Sequence, residues 1–251
     1  MNPIPTDTID EVISALEIII AESQQKNDPA GYFAALYRKV TIKVKEGIAA
    51  GFFDDGPRME QLDVFFANRY LVAYQANRRK DPITESWQKA FSISGQYWPI
   101  VLQHLLVGMN AHINLDLGIA AAKIAEGKNI NDLENDFKRI NEILSALVHE
   151  VEEDLAEVWP TLKFILKHSG KVDDFLVNFS MKLARDGAWK FASQLSAAPE
   201  NQIQSLIETR DQKVASKASI ITKTGMIATI VLFIIRLMER GSVTDKIRKL
   251  T

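Results

Sequence analysis

Between Trp98 and Glu126 the chain carries apolar side chains on every side of a single helix, and no other stretch constrains the fold so strongly. With successive residues turning by about 100°, Ile100, Leu102, Leu106, Val107, Ile113, Leu115, Leu117 and Ile119 cover the whole circumference. A helix of that kind hides from water all round, so other elements must wrap it. The fold expected from it is all-α, a single-domain multi-helix bundle over residues 1–251 around a buried central helix at about residues 98–126.

The flanking sequence supplies the wrapping helices. Gly and Pro number only 12 and 8, and they mostly separate segments with helical apolar spacing, while alternating strand-like runs are nearly absent. Thr6 or Asp7 can cap a first helix to about Ser23, and the Asn27-Asp28-Pro29 turn opens a second through Tyr37 and Val44. Gly51 to Pro57 breaks it. Pro57 then starts a third helix carrying LDVFFANRYLVAY, which Asp81-Pro82 ends before a short helix around Trp87. Pro99 is the expected start of the central helix and Gly127 its stop, after which Asn131 or Asp132 caps a helix reaching Trp159-Pro160. Further helices are expected at about 161–168, 172–197, 200–213 and 217–240, and residues 214–251 hold a candidate peripheral helix.

On the central helix the polar residues are the exceptions. His104, Asn110, His112, Asn114 and Asp116 fall on a helix that is otherwise apolar, and a buried polar group left unpaired costs about 1–3 kcal/mol. Gly108 and Gly118 each lower helix propensity by about 1 kcal/mol relative to alanine, which predicts close approach of another helix or a ligand. His104 and His112 stand roughly 12 Å apart along the axis, too far to share an ion, whereas His112 and Asp116 are one turn apart. That pair reads either as half of a metal site or acid–base pair, or as a buried structural hydrogen bond. Asn110 and Asn114 read as amides that bond a neighbouring backbone or a ligand, and His104 as a general acid or base or a core imidazole.

Two arginines extend the candidate set. Arg69 sits among Val64, Phe65, Phe66, Leu71 and Val72, where a guanidinium requires a carboxylate; Asp116 is the preferred partner and Asp63 the alternative. Such a pair either locks two helices or leaves an anion-binding arginine. Arg185 and Trp189, one turn apart in ARDGAWKFA, can stack as a cation–π pair that ties helices together or contacts a ligand. His149 and Glu153 share the one-turn spacing but fall on an acidic, solvated face, and His168 reads as a helix-end cap.

Composition narrows the chemistry further. The absence of cysteine removes disulfides, thiolate zinc sites, iron–sulfur clusters and thiol nucleophiles, so a divalent metal would need His, Asp, Glu or Asn. A net charge of -2 with mixed signs leaves no footprint for nucleic acid; the expected partner is a small molecule, with a homo-oligomer left open. The amino terminus, MNPIPTDTIDEV, lacks a secretory pattern, so the cytoplasm is the expected location. The stretch GMIATIVLFII is the only candidate for membrane contact; it falls short of the ~20 residues needed to span a bilayer and is expected to join the core.

The strings HLLVGMNAHINLDLGIA, FANRYLVAY and ARDGAW resemble a family of bacterial all-helical proteins known only as a domain of unknown function, over roughly residues 30 to 200. The resemblance implies the helical fold and draws attention to the central helix, without an activity. The resulting expectation is a small-molecule-binding helical protein, in its catalytic form a metal-dependent hydrolase or lyase. In that form His112 and Asp116 hold the metal or activate water, His104 serves as acid or base, and Arg69 or Asn110 orients the substrate. The alternative is a non-catalytic scaffold whose buried polar residues fix helix register.

Overall fold

The computed structural model describes residues 5–140, 142–143, 181–222 and 226–251, and among them every regular element is a helix. α1 (Ile9–Lys26) starts where the Thr8 hydroxyl accepts the Glu11 N–H, and ends at Asn27 in the left-handed region. α2 (Ala30–Ala49) follows Pro29, and α3 (Gly56–Arg79) carries Pro57 in its first turn with the Asp55 carboxylate accepting the Arg58 N–H. α4 (Glu85–Ser92) is short. Further α-helices among the described residues are α5 (Val101–Ala111), α6 (Leu117–Ile124), α7 (Met181–Ala197), α8 (Glu200–Thr222), α9 (Met226–Met238) and α10 (Val243–Leu250), and a 3-10 turn at Ile130–Leu133 opens helical residues 134–140.

α5 and α6 are one continuous rod, joined by a wide turn over His112–Asp116 in which the Leu117 N–H reaches back to the His112 carbonyl, an i→i+5 bond. This rod is the expected central helix. Its length and apolarity would suit a membrane span, but its side chains are packed inside the bundle. α2, α4 and α8 pack on α5, and α3 and α7 on α6, while α1 and α10 form an outer layer over α2. The two glycines of the rod mark close crossings. A Cβ on Gly108 would stand 2.5 Å from the Phe33 ring of α2, and one on Gly118 would meet Phe191 at 2.8 Å and the Ala188 carbonyl of α7 at 2.9 Å.

Several boundaries differ from expectation, each for a local reason. The rod begins at Val101 rather than Pro99, because Ile100 is extended and its N–H bonds the Gln103 side chain at 3.1 Å. No break occurs between 213 and 217: that stretch holds neither Gly nor Pro, and Val214, Ala215 and Ala218 are buried, so α8 runs on to Thr222. α10 was not foreseen, although Ser242 and Asp245 form a capping box at its start. Ile247 and Leu250 of α10 are buried. His149, Glu153, His168 and the helix expected at about 161–168 lie outside the described residues, whereas the helix expected from Asn131 or Asp132 is described at its start, as a 3-10 turn at Ile130–Leu133 followed by α-helix.

Three helix starts are held by carboxylates from far along the chain. Asp136 accepts the Asp54 and Asp55 N–H groups at 2.7 and 3.0 Å and binds Arg58 at 3.0 Å, ahead of α3. Asp211 of α8 accepts the Glu85 and Ser86 N–H groups at the start of α4, at 2.7 and 3.0 Å. Glu239 accepts the Val101 N–H at 2.8 Å and pairs with Lys246 and Arg236. Negative charge at a helix N-terminus satisfies orphan N–H groups and meets the favourable end of the dipole.

The crossing at Gly118 gives a direct test. Alanine there should favour the helix by about 1 kcal/mol in isolation. The contact with the Ala188 carbonyl should reverse the sign, and Gly118→Ala is expected to lose about 1–3 kcal/mol in urea unfolding at unchanged slope.

Candidate functional site

The wide turn at His112–Asp116 lies where α3, α7 and α8 converge on the rod, and it gathers the buried polar groups. Asp116 is shielded from solvent. Its Oδ1 accepts from Arg69 Nε at 3.0 Å, and its Oδ2 accepts from Trp87 Nε1 at 2.8 Å and faces His112 Nδ1 at 3.2 Å. Arg69 therefore takes the preferred partner, Asp116, and not Asp63. Burial works to raise the Asp116 pKa, but Arg69 and the hydrogen bonds from His112 and Trp87 outweigh it and hold the carboxyl below its ordinary value. With an ionised, acceptor-only carboxylate opposite, the His112 proton is assigned to Nδ1. Burial keeps the imidazole neutral by lowering its pKa; Asp116 opposes that shift and Arg69 adds to it.

An aromatic shell encloses His112. Phe66 stacks on it at 3.6 Å and 8°, Tyr37 meets it edge-on at 4.6 Å, and Phe33, Trp87 and Tyr70 follow at 5.8, 5.9 and 6.2 Å. Phe66 is half-buried, whereas the other four are buried, so it is the shell member that separates His112 from solvent.

Among the described residues, His112 Nε2, the Tyr70 hydroxyl and Asp63 Oδ2 are buried without a hydrogen-bond partner, and the buried Tyr37 hydroxyl has at most a weak contact with Thr41. The Tyr37 and Tyr70 rings lie 4.6 and 6.2 Å from the His112 ring, and burial, with the charges of Asp63, Asp116 and Tyr70 adding to it and a hydrogen bond to Thr41 opposing it, pushes the Tyr37 pKa up. Burial, with Glu60 adding to it, raises the Asp63 carboxyl to about 7. Tyr37, Tyr70 and Phe66 were not singled out from the sequence. Their signal was present as two buried aromatic pairs at i, i+4: Phe33 with Tyr37, and Phe66 with Tyr70.

The other candidates sit elsewhere. Asn110 donates to the Val214 carbonyl of α8 at 2.9 Å, Asn114 donates to Asn110 Oδ1 at 3.2 Å, and Arg210 Nε donates to the Asn114 carbonyl at 2.8 Å. These amides tie the rod to α8. His104 is two turns away from His112, beside Tyr32 at 5.5 Å. Burial lowers its pKa to about 3, with Arg236 and Lys246 adding to the shift, so it is neutral through the physiological range and outside the His112 cluster.

Arg185 is buried with Nε and Nη1 unpartnered, and burial lowers its pKa to about 10 against the opposing charge of Asp186. The expected stack on Trp189 is replaced by a contact between Trp189 and Phe137 at 4.9 Å. Among the described residues, no group of three or more His, Asp or Glu converges as a metal site would require.

Two consequences can be measured. Arg69→Leu leaves a buried carboxylate without its cation and is expected to cost about 3 kcal/mol at neutral pH. Because the folded Asp116 pKa lies below 3.8, its contribution is present above that value and lost as pH falls through the folded pKa; the Arg69→Leu deficit should shrink there. His104 acts in a different window. Its folded form binds fewer protons than the unfolded chain between about 3 and 6.5, so its contribution is complete above 6.5 and declines as pH falls. Against His104→Phe, the wild type should lose on the order of 5 kcal/mol between those limits in chemical denaturation.

A helical bundle that buries a neutral, oriented imidazole among buried phenols on a wide turn belongs to the class of all-α proteins with an internal polar site. The chain belongs to the family of unknown function DUF5995, whose pattern matches residues 9–224. No curated protein and no solved structure matches it.

Proposed function

We propose that the protein binds a small neutral molecule at the His112 cluster. One observation carries this reading: His112, with Nδ1 fixed by Asp116, holds Nε2 buried and, among the described residues, without a hydrogen-bond partner inside a shell that includes the Phe66, Tyr37 and Tyr70 rings. Each orphan polar group costs about 1–3 kcal/mol, and a ligand with complementary donors and acceptors offsets several at once. A π-type turn, rare in helices and frequent at functional sites, places His112 and Asp116 there. The ligand is read as neutral because the Arg69–Asp116 pair is already closed. A ligand donor meets Nε2, an acceptor meets the phenols, and Phe66 is the side chain that yields on binding.

The catalytic form of this reading is acid–base chemistry of the hydrolase or lyase class. His112 Nε2 takes a proton, Asp116 stabilises the imidazolium formed, and Tyr37 or Asp63 returns a proton. A divalent metal on His112 and Asp116 is the weaker form, since Arg69 and Trp87 already donate to the two Asp116 oxygens. Asn110 and Asn114 are engaged with α8 and with each other, and Trp189 with Phe137; these three and Arg185 are not read as ligand contacts. The scaffold reading draws on the Asn110 bond to Val214, a purely structural use of a buried amide. A cytoplasmic location remains part of the proposal.

The test is a thermal-shift screen of small neutral alcohols, amides and phenols on the wild type, His112→Gln, Tyr37→Phe and Phe66→Ala, with metal analysis of untagged protein. A compound that stabilises the wild type and binds at least about tenfold more weakly to folded His112→Gln and Tyr37→Phe supports the site. Stoichiometric metal, lost in His112→Gln and Asp116→Asn, would favour the metal form instead. Stability changes of about 1–3 kcal/mol with no compound or metal bound would leave the scaffold reading.

A further inference from the structure

Among the described residues, most of the large apolar side chains that stay exposed fall on the loop before α5 and on α9, while Val72 of α3 and Leu183 of α7 stand apart. Tyr97, Trp98, Phe233, Ile234 and Leu237 are all exposed, with Tyr97 at 67% and Leu237 at 62%. The Trp98 ring lies 5.0 Å from Phe233 and 5.2 Å from Tyr97, so the loop before α5 and the outer side of α9 make one surface. The ledge is pinned. Arg236 donates to the Tyr97 carbonyl at 2.7 Å, lies 4.8 Å over its ring and pairs with Glu239, while Ile235 on the inner side of α9 is buried. Contiguous exposed apolar patches of this kind mark binding surfaces.

Composition, charge and length select what binds. Tyr and Trp beside aliphatic residues suit the boundary between lipid headgroups and acyl chains, where one end of the ring is wet and the other dry. From residue 236 to 251 the chain holds five Lys or Arg against two Asp or Glu, although its net charge is -2. Arg240, two residues beyond the end of α9, is exposed. A second copy packed by two-fold symmetry would set these cations against their own images. α9 has 13 residues, about 20 Å long at ~1.5 Å per residue, short of a ~30 Å hydrocarbon core.

We propose that this ledge docks the protein on an anionic lipid surface. α9 lies in the plane of the interface, Trp98, Phe233 and Leu237 enter the headgroup–acyl boundary, and Arg240 meets the lipid phosphates. The proposal does not depend on the His112 reading.

The full chain is co-sedimented with vesicles of phosphatidylcholine alone and of phosphatidylcholine mixed with phosphatidylglycerol, at low and high salt, and its oligomeric state is measured by sedimentation equilibrium. The expected result is a monomer that binds the phosphatidylglycerol vesicles, more weakly in high salt. Phe233→Ser combined with Leu237→Ser should weaken binding by at least about tenfold, and Arg240→Glu alone by about tenfold. The substituted positions are exposed, so circular dichroism and thermal unfolding should match the wild type. Equal binding to both vesicle types, or to neither, overturns the proposal. A vesicle-indifferent dimer that the same substitutions dissociate also overturns it and assigns the ledge to a second copy.

Discussion

A carboxylate without access to water must find all its compensation inside the protein, and Asp116 draws on three elements to do so. Arg69 comes from α3, Trp87 from α4 and His112 from the same turn of the rod. Burial alone would favour the neutral acid; the ionised form persists because these donors outweigh desolvation. The rotation of the rod relative to α3 and α4 is therefore fixed by electrostatics as well as by packing. The state of His112 follows from the same group, since the carboxylate directs the Nδ1 proton and leaves Nε2 facing the aromatic shell.

Elsewhere the fold applies the same solution at its helix starts. Asp136, Asp211 and Glu239 each come from a distant part of the chain to accept N–H groups at or just before a helix. None of these caps can form before the tertiary structure does, which couples α3, α4 and α5 to the elements that bring the carboxylates. Such closure makes local helix formation and global folding interdependent.

What could be read from the chain follows the range of each interaction. The rod was legible because an apolar circumference admits only burial, and Gly108 and Gly118 were legible as crossings because an unexplained glycine in a helix needs a neighbour. Arg69 with Asp116 was legible because a guanidinium among apolar residues requires a carboxylate. The Tyr37, Tyr70 and Phe66 side of the site was not, since it depends on which faces of α2 and α3 meet the rod. The caps were hidden for the same reason. The α8 run through residues 213–217 and the α10 capping box were local features that the chain did display, as the absence of breakers and as Ser242 with Asp245.

The wide turn at His112–Asp116 also gives the rod a phase. A regular α-helix locks every residue to one angular series, whereas an i→i+5 turn absorbs extra chain and resets the series beyond it. Drawing residues 112–116 into regular α-helix with none removed would turn the C-terminal half of the rod by about 100° against its N-terminal half. Gly108 would still face Phe33, but Gly118 would swing away from Phe191 and Ala188. The two halves of the rod are thus matched separately, one to α2 and one to α7, with the turn as the offset between two registers.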